Sequence, residues 1–191
     1  LVCFVFSAGM LFSQTSYRFN NYSINEGLSQ SVVTCILQDN SNALWVGTQE
    51  GLNRFDGKTF DIYNSDNTEG IESENIRYSA KTADGNIWFG TTNGLVKYDF
   101  KKETFKTIHF QKNIPLQIEN ISIDIEGNLW LSSLTSGLLR LNHQTEKITS
   151  YSHLLPSNKV LTLHCEKNGD IFVATEDKGL FHCNVKNKVA R

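Results

Sequence analysis

The chain has 191 residues, of which 18 are Lys or Arg and 20 are Asp or Glu, and its net charge is −2. Hydrophobic residues make up 39% and aromatic residues 11% of the sequence, which indicates a folded domain and excludes a disordered chain. The near-neutral charge and a pI of about 6.2 leave no basic surface for nucleic acid or for an anionic membrane.

The first 12 residues carry no charged side chain. This stretch is shorter than the roughly 20 residues that span a bilayer, and it fits the apolar region of a secretory signal peptide. We therefore expect a partial signal peptide over residues 1–13, although Leu11 departs from the small residue usual near a cleavage site. A buried apolar strand is the alternative. Export would place residues 14–191 in the periplasm or on the extracellular face of the inner membrane.

The cysteines after the expected cleavage site are Cys35, Cys165 and Cys183. An odd number at wide spacing does not predict a disulfide framework. His164 and His182 each precede a cysteine, but neighbours along a strand point to opposite faces and do not chelate one ion easily. We expect buried free thiols, no metal site and no cofactor.

From residue 23 onwards the sequence repeats with a period of about 42 residues. Each repeat is anchored by an aromatic residue, at spacings of 43, 42 and 42: Trp45, Trp88, Trp130 and Phe172. A Gly-Leu pair follows each anchor, beginning at Gly51, Gly94, Gly137 and Gly179. The repeats are predicted near residues 23–63, 64–108, 109–151 and 152–191.

Each repeat has the pattern of four short strands separated by turns. In the first repeat the strand-rich segments are 33–38, 44–48, 52–55 and 59–63. Asp-Gly and Asn-Gly pairs at the hairpins supply the positive φ angles that tight turns need. Four antiparallel strands per repeat without helical periodicity predict an all-β fold of β-propeller blades. A solenoid of parallel strands is the structural alternative, although its repeats are usually shorter.

The fourth strand of a repeat carries two apolar residues three positions apart, as in Phe60 and Tyr63. One further pair, Phe19 and Tyr22, precedes the first repeat and predicts an N-terminal closing strand over 17–22. The polar tail of repeat four has no such pair, so a fourth strand is not supported there. We expect a fragment of a larger propeller, and a four-bladed ring closed by the 17–22 strand is the alternative.

Two runs of the first repeat carry a family resemblance. Residues 25–39 contain Gly27-Leu28-Ser29-Gln30, and residues 44–57 contain Leu44-Trp45-Val46-Gly47-Thr48. Together these runs resemble the two-component regulator propeller repeat, and the resemblance extends over residues 17 to about 183. Repeat three departs from it with Ser132-Ser133 in place of Gly-Thr, and repeat four departs with Phe172 and Ala174.

The resemblance implies the N-terminal periplasmic sensor part of a hybrid two-component system histidine kinase. Such a sensor is an extracytoplasmic ligand-sensing propeller, with downstream membrane and kinase modules in the same full-length chain. The family's usual ligands are oligosaccharides, and kinase-coupled sensors generally form homodimers. No nucleic-acid partner is implied.

Several residues that recur at the same position of successive repeats have structural interpretations. The tryptophan anchors lie mid-strand among apolar neighbours, so we expect them to pack between blades. Asp39, Asp124 and Glu166 recur at the first hairpin of a repeat, and we expect them to cap that turn. The five histidines have no Ser or Cys partner in a motif, so no catalytic residue is predicted.

Ligand binding is expected in the loops. The connections between repeats and the turns after the Gly-Thr strands usually share one face of a propeller, and the candidate ligand-binding residues in those turns are Gln49, Glu50, Thr92 and Asn93. Their polar side chains suit sugar hydroxyls. The alternatives are an extracellular propeller enzyme acting on polysaccharide, which needs a carboxylate pair across a cleft, and a non-catalytic protein-interaction propeller.

Overall fold

The structure, a computed structural model, describes residues 18–111, 115–184 and 189–190. The expected signal peptide over residues 1–13 lies outside this range. Sixteen strands of the described residues form four antiparallel sheets of four strands each. The two helical segments in the same range are the 3₁₀ turns Ile24–Glu26 and Ser152–Leu154, and neither is long and apolar enough to cross a membrane.

Each sheet is one blade and corresponds to one sequence repeat. Blade one contains β1 (Val33–Gln38), β2 (Leu44–Thr48), β3 (Gly51–Phe55) and β4 (Phe60–Tyr63). Blade two contains β5 (Ile76–Lys81), β6 (Ile87–Thr91), β7 (Gly94–Asp99) and β8 (Thr104–Ile108). Blade three contains β9 (Asn120–Ile123), β10 (Leu129–Ser133), β11 (Gly137–Leu141) and β12 (Ile148–Ser150). Blade four contains β13 (Val160–Cys165), β14 (Asp170–Thr175), β15 (Gly179–Asn184) and β16 (Val189–Ala190). The all-β prediction of four-stranded blades is confirmed.

The anchor tryptophans pack between blades, as the sequence predicted. Trp45 of blade one is fully buried, and its ring lies 4.7 Å from Tyr98 and 5.7 Å from Phe89 of blade two. Trp88 joins the buried cluster between blades two and three, and Trp130 joins the cluster between blades three and four. One face of each of the first three blades is therefore buried against the next blade.

Glycines on the inner part of these faces allow the blades to approach closely. A Cβ atom added to Gly47 would lie 2.7 Å from Cγ2 of Ile76, on the first strand of the next blade. A Cβ atom at Gly90 would lie 2.6 Å from Cγ2 of Ile118, which precedes β9. Real Cβ atoms do not come this close, so contact with the following blade requires Gly at both positions. At Gly47 the Sγ atom of Cys35 in the same blade, 2.5 Å from the added Cβ atom, requires it as well.

The Thr of the same pair stabilises the turn that follows it. Thr48 donates a hydrogen bond from Oγ1 to the carbonyl of Gly51, and Thr91 does the same to Gly94. The connections between blades reach these turns as well, since the amide of Gly51 donates to the carbonyl of Glu74 and the amide of Gly94 donates to the carbonyl of Leu116. The connections and the turns thus share one face, which we call the connection face.

The Gly-Leu-Ser-Gln run ties the N-terminal segment to blade one. The amide of Ser29 donates to Oδ1 of Asn53 at 2.8 Å, and Nδ2 of Asn53 donates back to Oγ of Ser29 at 2.8 Å. Oγ of Ser29 also lies 2.9 Å from Oγ1 of Thr48. Asn53 is fully buried on β3, and this exchange satisfies its amide.

The N-terminal closing strand differs from the prediction in its described part. Residues 18–22 form no strand, and Tyr22 instead packs its ring 4.9 Å from Phe55 and 5.9 Å from Phe60 of blade one. Aromatic packing on the blade thus accounts for the position of Tyr22 without strand pairing. Closure of a complete ring by this segment stays a prediction.

The fourth strand of blade four does form, although no apolar pair in the tail of repeat four predicted it. Val189 pairs with Asn184 and Ala190 pairs with Cys183, so β16 lies antiparallel to β15. Backbone pairing with β15 explains this two-residue strand, because it requires no apolar pair of the kind that marks the other blades.

Candidate functional site

The candidate ligand-binding residues lie on the connection face, in equivalent turns of two neighbouring blades. Gln49 and Glu50 form the exposed turn between β2 and β3. Thr92 and Asn93 form the turn between β6 and β7, where both are half-buried. Ligand binding by these four residues stays a prediction.

Local hydrogen bonds fix both turns. The amides of Glu50 and Asn93 donate to the Thr hydroxyls two residues earlier, each at 3.1 Å. Oγ1 of Thr92 also lies 3.2 Å from Oγ of Ser73 in the connection between blades one and two. Each turn thus has a hydrogen bond of its own, and the exposed side chains among the four are those of Gln49 and Glu50.

Two concave sites of the described residues lie elsewhere, and none of the four candidates lines either one. The rim cleft, of about 700 Å³, is formed by Tyr63, residues 67–70, Glu72 and residues 103–107. The hairpin cleft, of about 300 Å³, is formed by residues 82–84, residues 123–127 and His143. It lies between the first hairpins of blades two and three, on the side opposite the connection face.

The acidic residues at the first hairpins cap their turns, as predicted for Asp39 and Asp124. Oδ1 of Asp39 accepts hydrogen bonds from the amides of Ser41 and Ala43, and Oδ2 accepts one from the Trp45 indole at 3.0 Å. Burial of Asp39 acts to raise its pKa, but hydrogen bonds from Ser41, Trp45 and the backbone outweigh it and hold the pKa below its ordinary value.

Asp124 has the same arrangement in blade three. Its arginine partner, Arg140, forms hydrogen bonds to the carboxylate, whereas Arg54 of blade one lies 3.5 Å from Oδ2 of Asp39 as an ion pair. Oδ2 accepts from the Trp130 indole at 3.1 Å and from the Arg140 guanidinium at 2.7 Å. Burial opposes ionisation here too, yet the Arg140 hydrogen bonds and charge lower the pKa of Asp124. The prediction is not met at Glu166 of blade four: among the described residues its carboxylate accepts no hydrogen bond from the turn, and its amide donates to the carbonyl of Asp170 as the equivalent amides of Asp39 and Asp124 do in their blades. Phe172 has no indole N–H to offer Glu166.

A cation covers the anchor ring in the two central blades. Nζ of Lys97 lies 5.3 Å from the centre of the Trp88 ring, and the Arg140 guanidinium lies 5.6 Å from that of Trp130. Lys97 and Lys106 both bind Glu146 of blade three, at 2.8 and 2.5 Å. Because Lys97 and Lys106 belong to blade two and Glu146 to blade three, these ion pairs link the two blades.

The three described cysteines are free thiols, as expected, but of these only Cys183 is buried, whereas Cys35 and Cys165 are half-buried. Cys165 and Cys183 face the same cluster from β13 and β15, with Ile171 of β14 between them. Burial raises the pKa of Cys165 to about 11, so its thiol stays protonated and unreactive at neutral pH. Within the described ranges no group of His, Cys, Asp and Glu is arranged to hold a metal ion.

The connections between repeats, including residues 64–75, were expected to carry ligand contacts, but the sequence did not reveal the rim cleft that this connection forms with the outer strands. Its residues come from β4, β8 and the connection over residues 64–75, which lie apart in the sequence. The length of that connection, 12 residues, is the sequence signal for it. Long connections that lack strands of their own often carry function.

Comparison with known proteins matches the first two repeats to a family. The sequence model for the family described as "Two component regulator propeller" matches residues 27–50 and 70–93. A curated relative, "Histidine kinase P4" of Formosa agariphila, is 48% identical over 64 residues. That match covers 33% of this chain and 5% of the relative.

Solved structures extend the similarity over most of the chain. The extracellular domain of the protein described as hybrid two component system BT3049 of B. thetaiotaomicron is 25% identical, with a TM-score of 0.80. The match covers 90% of this chain and 26% of that one. The corresponding domain of BT4673 from the same organism is also 25% identical, with a TM-score of 0.68, and the match covers 84% of this chain and 21% of that one.

The chain thus spans about a quarter of the length of these solved domains. The resemblance found in the sequence is confirmed. Residues 27–50 and 70–93 match the two-component regulator propeller family, and the chain is similar to the extracellular domains of hybrid two-component systems and, over 64 residues, to a histidine kinase.

Proposed function

We propose that this chain forms part of an extracytoplasmic propeller that senses an oligosaccharide for a two-component receptor. The similarity of nearly the whole chain to extracellular domains of hybrid two-component systems supports this proposal most directly. A sensor of this kind is exported by its signal peptide and faces the periplasm or the outside of the inner membrane. The membrane and kinase modules follow in the same full-length chain, and the receptor signals as a homodimer.

In this proposal the propeller binds ligand and performs no chemistry of its own. The turn residues Gln49, Glu50, Thr92 and Asn93 are the starting hypothesis for the ligand contacts. Their amide, hydroxyl and carboxylate groups match the hydroxyls of a sugar. The exposure of Gln49 and Glu50 leaves them accessible to a large ligand.

The test uses the full-length receptor in membrane vesicles, with autophosphorylation as the readout. A panel of neutral and acidic oligosaccharides is added, and at least one is expected to change the phosphorylation rate severalfold. Replacement of Gln49 and Glu50 by Ala is compared with Lys58→Ala. Lys58 is also exposed, but it lies in the turn between β3 and β4, away from the connection face.

Three outcomes separate the functional classes. A phosphorylation response to one oligosaccharide class supports the sensor. Cleavage of an added polysaccharide by the purified protein would instead favour the enzyme. The absence of both, across the whole panel, would contradict the proposal and favour a protein-interaction propeller.

A further inference from the structure

The rim cleft lies where the outer strands of blades one and two meet the connection between them. One wall is β8 with the turn before it, the other is residues 67–70 of the connection, and Tyr63 at the end of β4 contributes to the base. Its volume of about 700 Å³ falls within the range of small-molecule sites. The cleft is separate from the turns that hold Gln49 and Thr92.

The connection is held against β8, so the cleft is preformed. Oγ1 of Thr107 donates to the carbonyl of Gly70 at 2.8 Å. Gly70 has φ +88°, and a Cβ atom there would lie 2.1 Å from the carbonyl oxygen of Phe105. Only glycine allows the chain to lie this close to the strand. At the start of the connection, Nδ2 of Asn67 donates to the carbonyl of Ile62 and its Oδ1 accepts from the amide of Asn64.

The base of the cleft is aromatic. The half-buried rings of Tyr63 and Phe105 lie 5.2 Å apart, and both residues line the cleft. Aromatic rings offer a flat apolar surface, and the C–H faces of a pyranose ring are flat and apolar as well. Because the two rings are tilted by 46° to each other, one sugar ring can rest on either of them while its hydroxyls face the walls.

The walls carry groups that are free to bind hydroxyls. The carboxylates of Glu69 and Glu103 are exposed and, among the described residues, form no ion pair, and the Thr104 side chain is exposed beside them. Lys106, the cationic residue of the lining, is already paired with Glu146 of blade three. The cleft therefore presents net negative charge, which repels an anionic ligand.

We propose that the rim cleft binds a short uncharged oligosaccharide, which stacks on Tyr63 and Phe105 and is hydrogen-bonded by Thr104, Glu69 and Glu103. The inference rests on the proposed function, the sensing of an oligosaccharide, and places the ligand in the rim cleft instead of on the connection face. It also assigns the charge class: neutral sugars bind, whereas uronates and sulfated sugars are excluded.

The test measures binding by calorimetry on the intact protein. The probes are neutral tetrasaccharides of glucose, xylose, mannose and galactose, with tetragalacturonate as the acidic probe. Thr104→Trp fills the cleft from an exposed position and is expected to weaken binding of the neutral probe at least tenfold. Thr59→Trp is the matched control, because Thr59 precedes Phe60 as Thr104 precedes Phe105 but does not line the cleft.

A second variant tests the charge assignment without added bulk. Glu69→Gln with Glu103→Gln is expected to weaken neutral binding and to allow tetragalacturonate to bind. Neutral binding that survives Thr104→Trp but is lost in a Gln49→Ala, Glu50→Ala variant would overturn the cleft and leave the sensor intact. Tight binding of tetragalacturonate by the unaltered protein would overturn the charge class. If no oligosaccharide binds and none changes autophosphorylation, the cleft inference and the proposed function both fail.

Discussion

One position of the repeat is buried at the three junctions between neighbouring blades and exposed on the face of blade four that no described blade covers. Leu52, Leu95 and Leu138 follow the glycine of the second turn in blades one to three, and each is 0% exposed. Leu180 holds the same position in blade four and is 67% exposed. The residue type is unchanged, so the difference is the presence of a following blade among the described residues.

The opposite face of the stack gives the same result at its first blade. Ile36 on β1 is 63% exposed, whereas Ile121 and Leu163 at the equivalent positions of β9 and β13 are 3% and 6% exposed. Each blade is thus completed by its neighbours, as in other repeat proteins whose stability is a sum of blades and junctions. Further blades of the same kind would pack on these two faces.

The residue two positions after the anchor also differs between the blades. The inner glycines Gly47 and Gly90 face an Ile of the next blade at distances that exclude a Cβ atom. Blade three has Ser132 there, whose Oγ donates to the carbonyl of Leu161 in blade four. Blade four has Ala174, where no following blade is described. The Ser132 departure from the Gly-Thr pattern thus gives blade three a polar contact with blade four where Gly47 and Gly90 meet an Ile of the next blade.

The largest loss of stability is expected for the anchor residue of a buried junction, in contrast to the anchor of blade four, which no described blade covers. Trp88→Ala removes a fully buried indole between blades two and three and should lower the free energy of unfolding by about 3–5 kcal/mol. Phe172→Ala removes a half-buried ring that stacks on His182, and should cost about 1 kcal/mol. Urea unfolding followed by circular dichroism measures both. Equal losses would contradict the comparison.

The leucine position provides the second contrast. Leu95→Ala leaves a cavity in a closed junction and should cost about 2–5 kcal/mol. Leu180→Ala changes an exposed side chain and should alter the free energy of unfolding by only about 0.5 kcal/mol. Urea midpoints of the two variants give the comparison. A large loss for Leu180→Ala would mean that another surface covers this leucine in solution, and the face of blade four would then count as a junction.

The regular part of the fold could be predicted because each blade repeats the same chemistry. The anchor spacing located the second strand of every blade, and the Gly-Leu pairs located the third. The two differences lie at the ends of the described chain. Residues 18–22 carry the apolar pair of a strand, but Tyr22 packs against Phe55 and Phe60, whereas Val189–Ala190 pairs with β15 without the expected sequence signal.

The sites were harder to predict, for a physical reason. The turn candidates lie where the repeat places them, so their position on the connection face followed from the pattern. The rim cleft depends on Gly70 lying against the Phe105 carbonyl, a contact between a loop and a strand that no periodicity encodes. The surface that a segment outside the repeat pattern forms can be recognised only in the folded structure.

The close approach of Gly90 to Ile118 of the next blade can be tested by the energetic coupling of substitutions at the two positions. Gly90→Ala places a Cβ atom against Cγ2 of Ile118 and should cost about 1–3 kcal/mol. Ile118→Ala removes that Cγ2 atom, so Gly90→Ala should cost about 1 kcal/mol less in the Ile118→Ala background. A double-mutant cycle by urea unfolding measures the coupling. Strict additivity would show that the glycine is set by something other than the next blade.

The smallest expected effect is the pH dependence of the acidic caps. Because the pKa of Asp124 is lowered in the folded protein, the stability it contributes is present above the ordinary Asp pKa and is lost as the pH falls through the lowered value. Asp124→Asn removes the charge and should cost about 1–2 kcal/mol at pH 7 while flattening the loss of stability between pH 5 and pH 3. Glu166→Gln is the control, since Glu166 is exposed and has neither an indole nor an arginine partner among the described residues. Urea unfolding at pH 7, 5 and 3 measures both variants. Identical pH slopes for Asp124→Asn and the unaltered protein would mean that the indole and guanidinium contacts do not depend on the charge of Asp124.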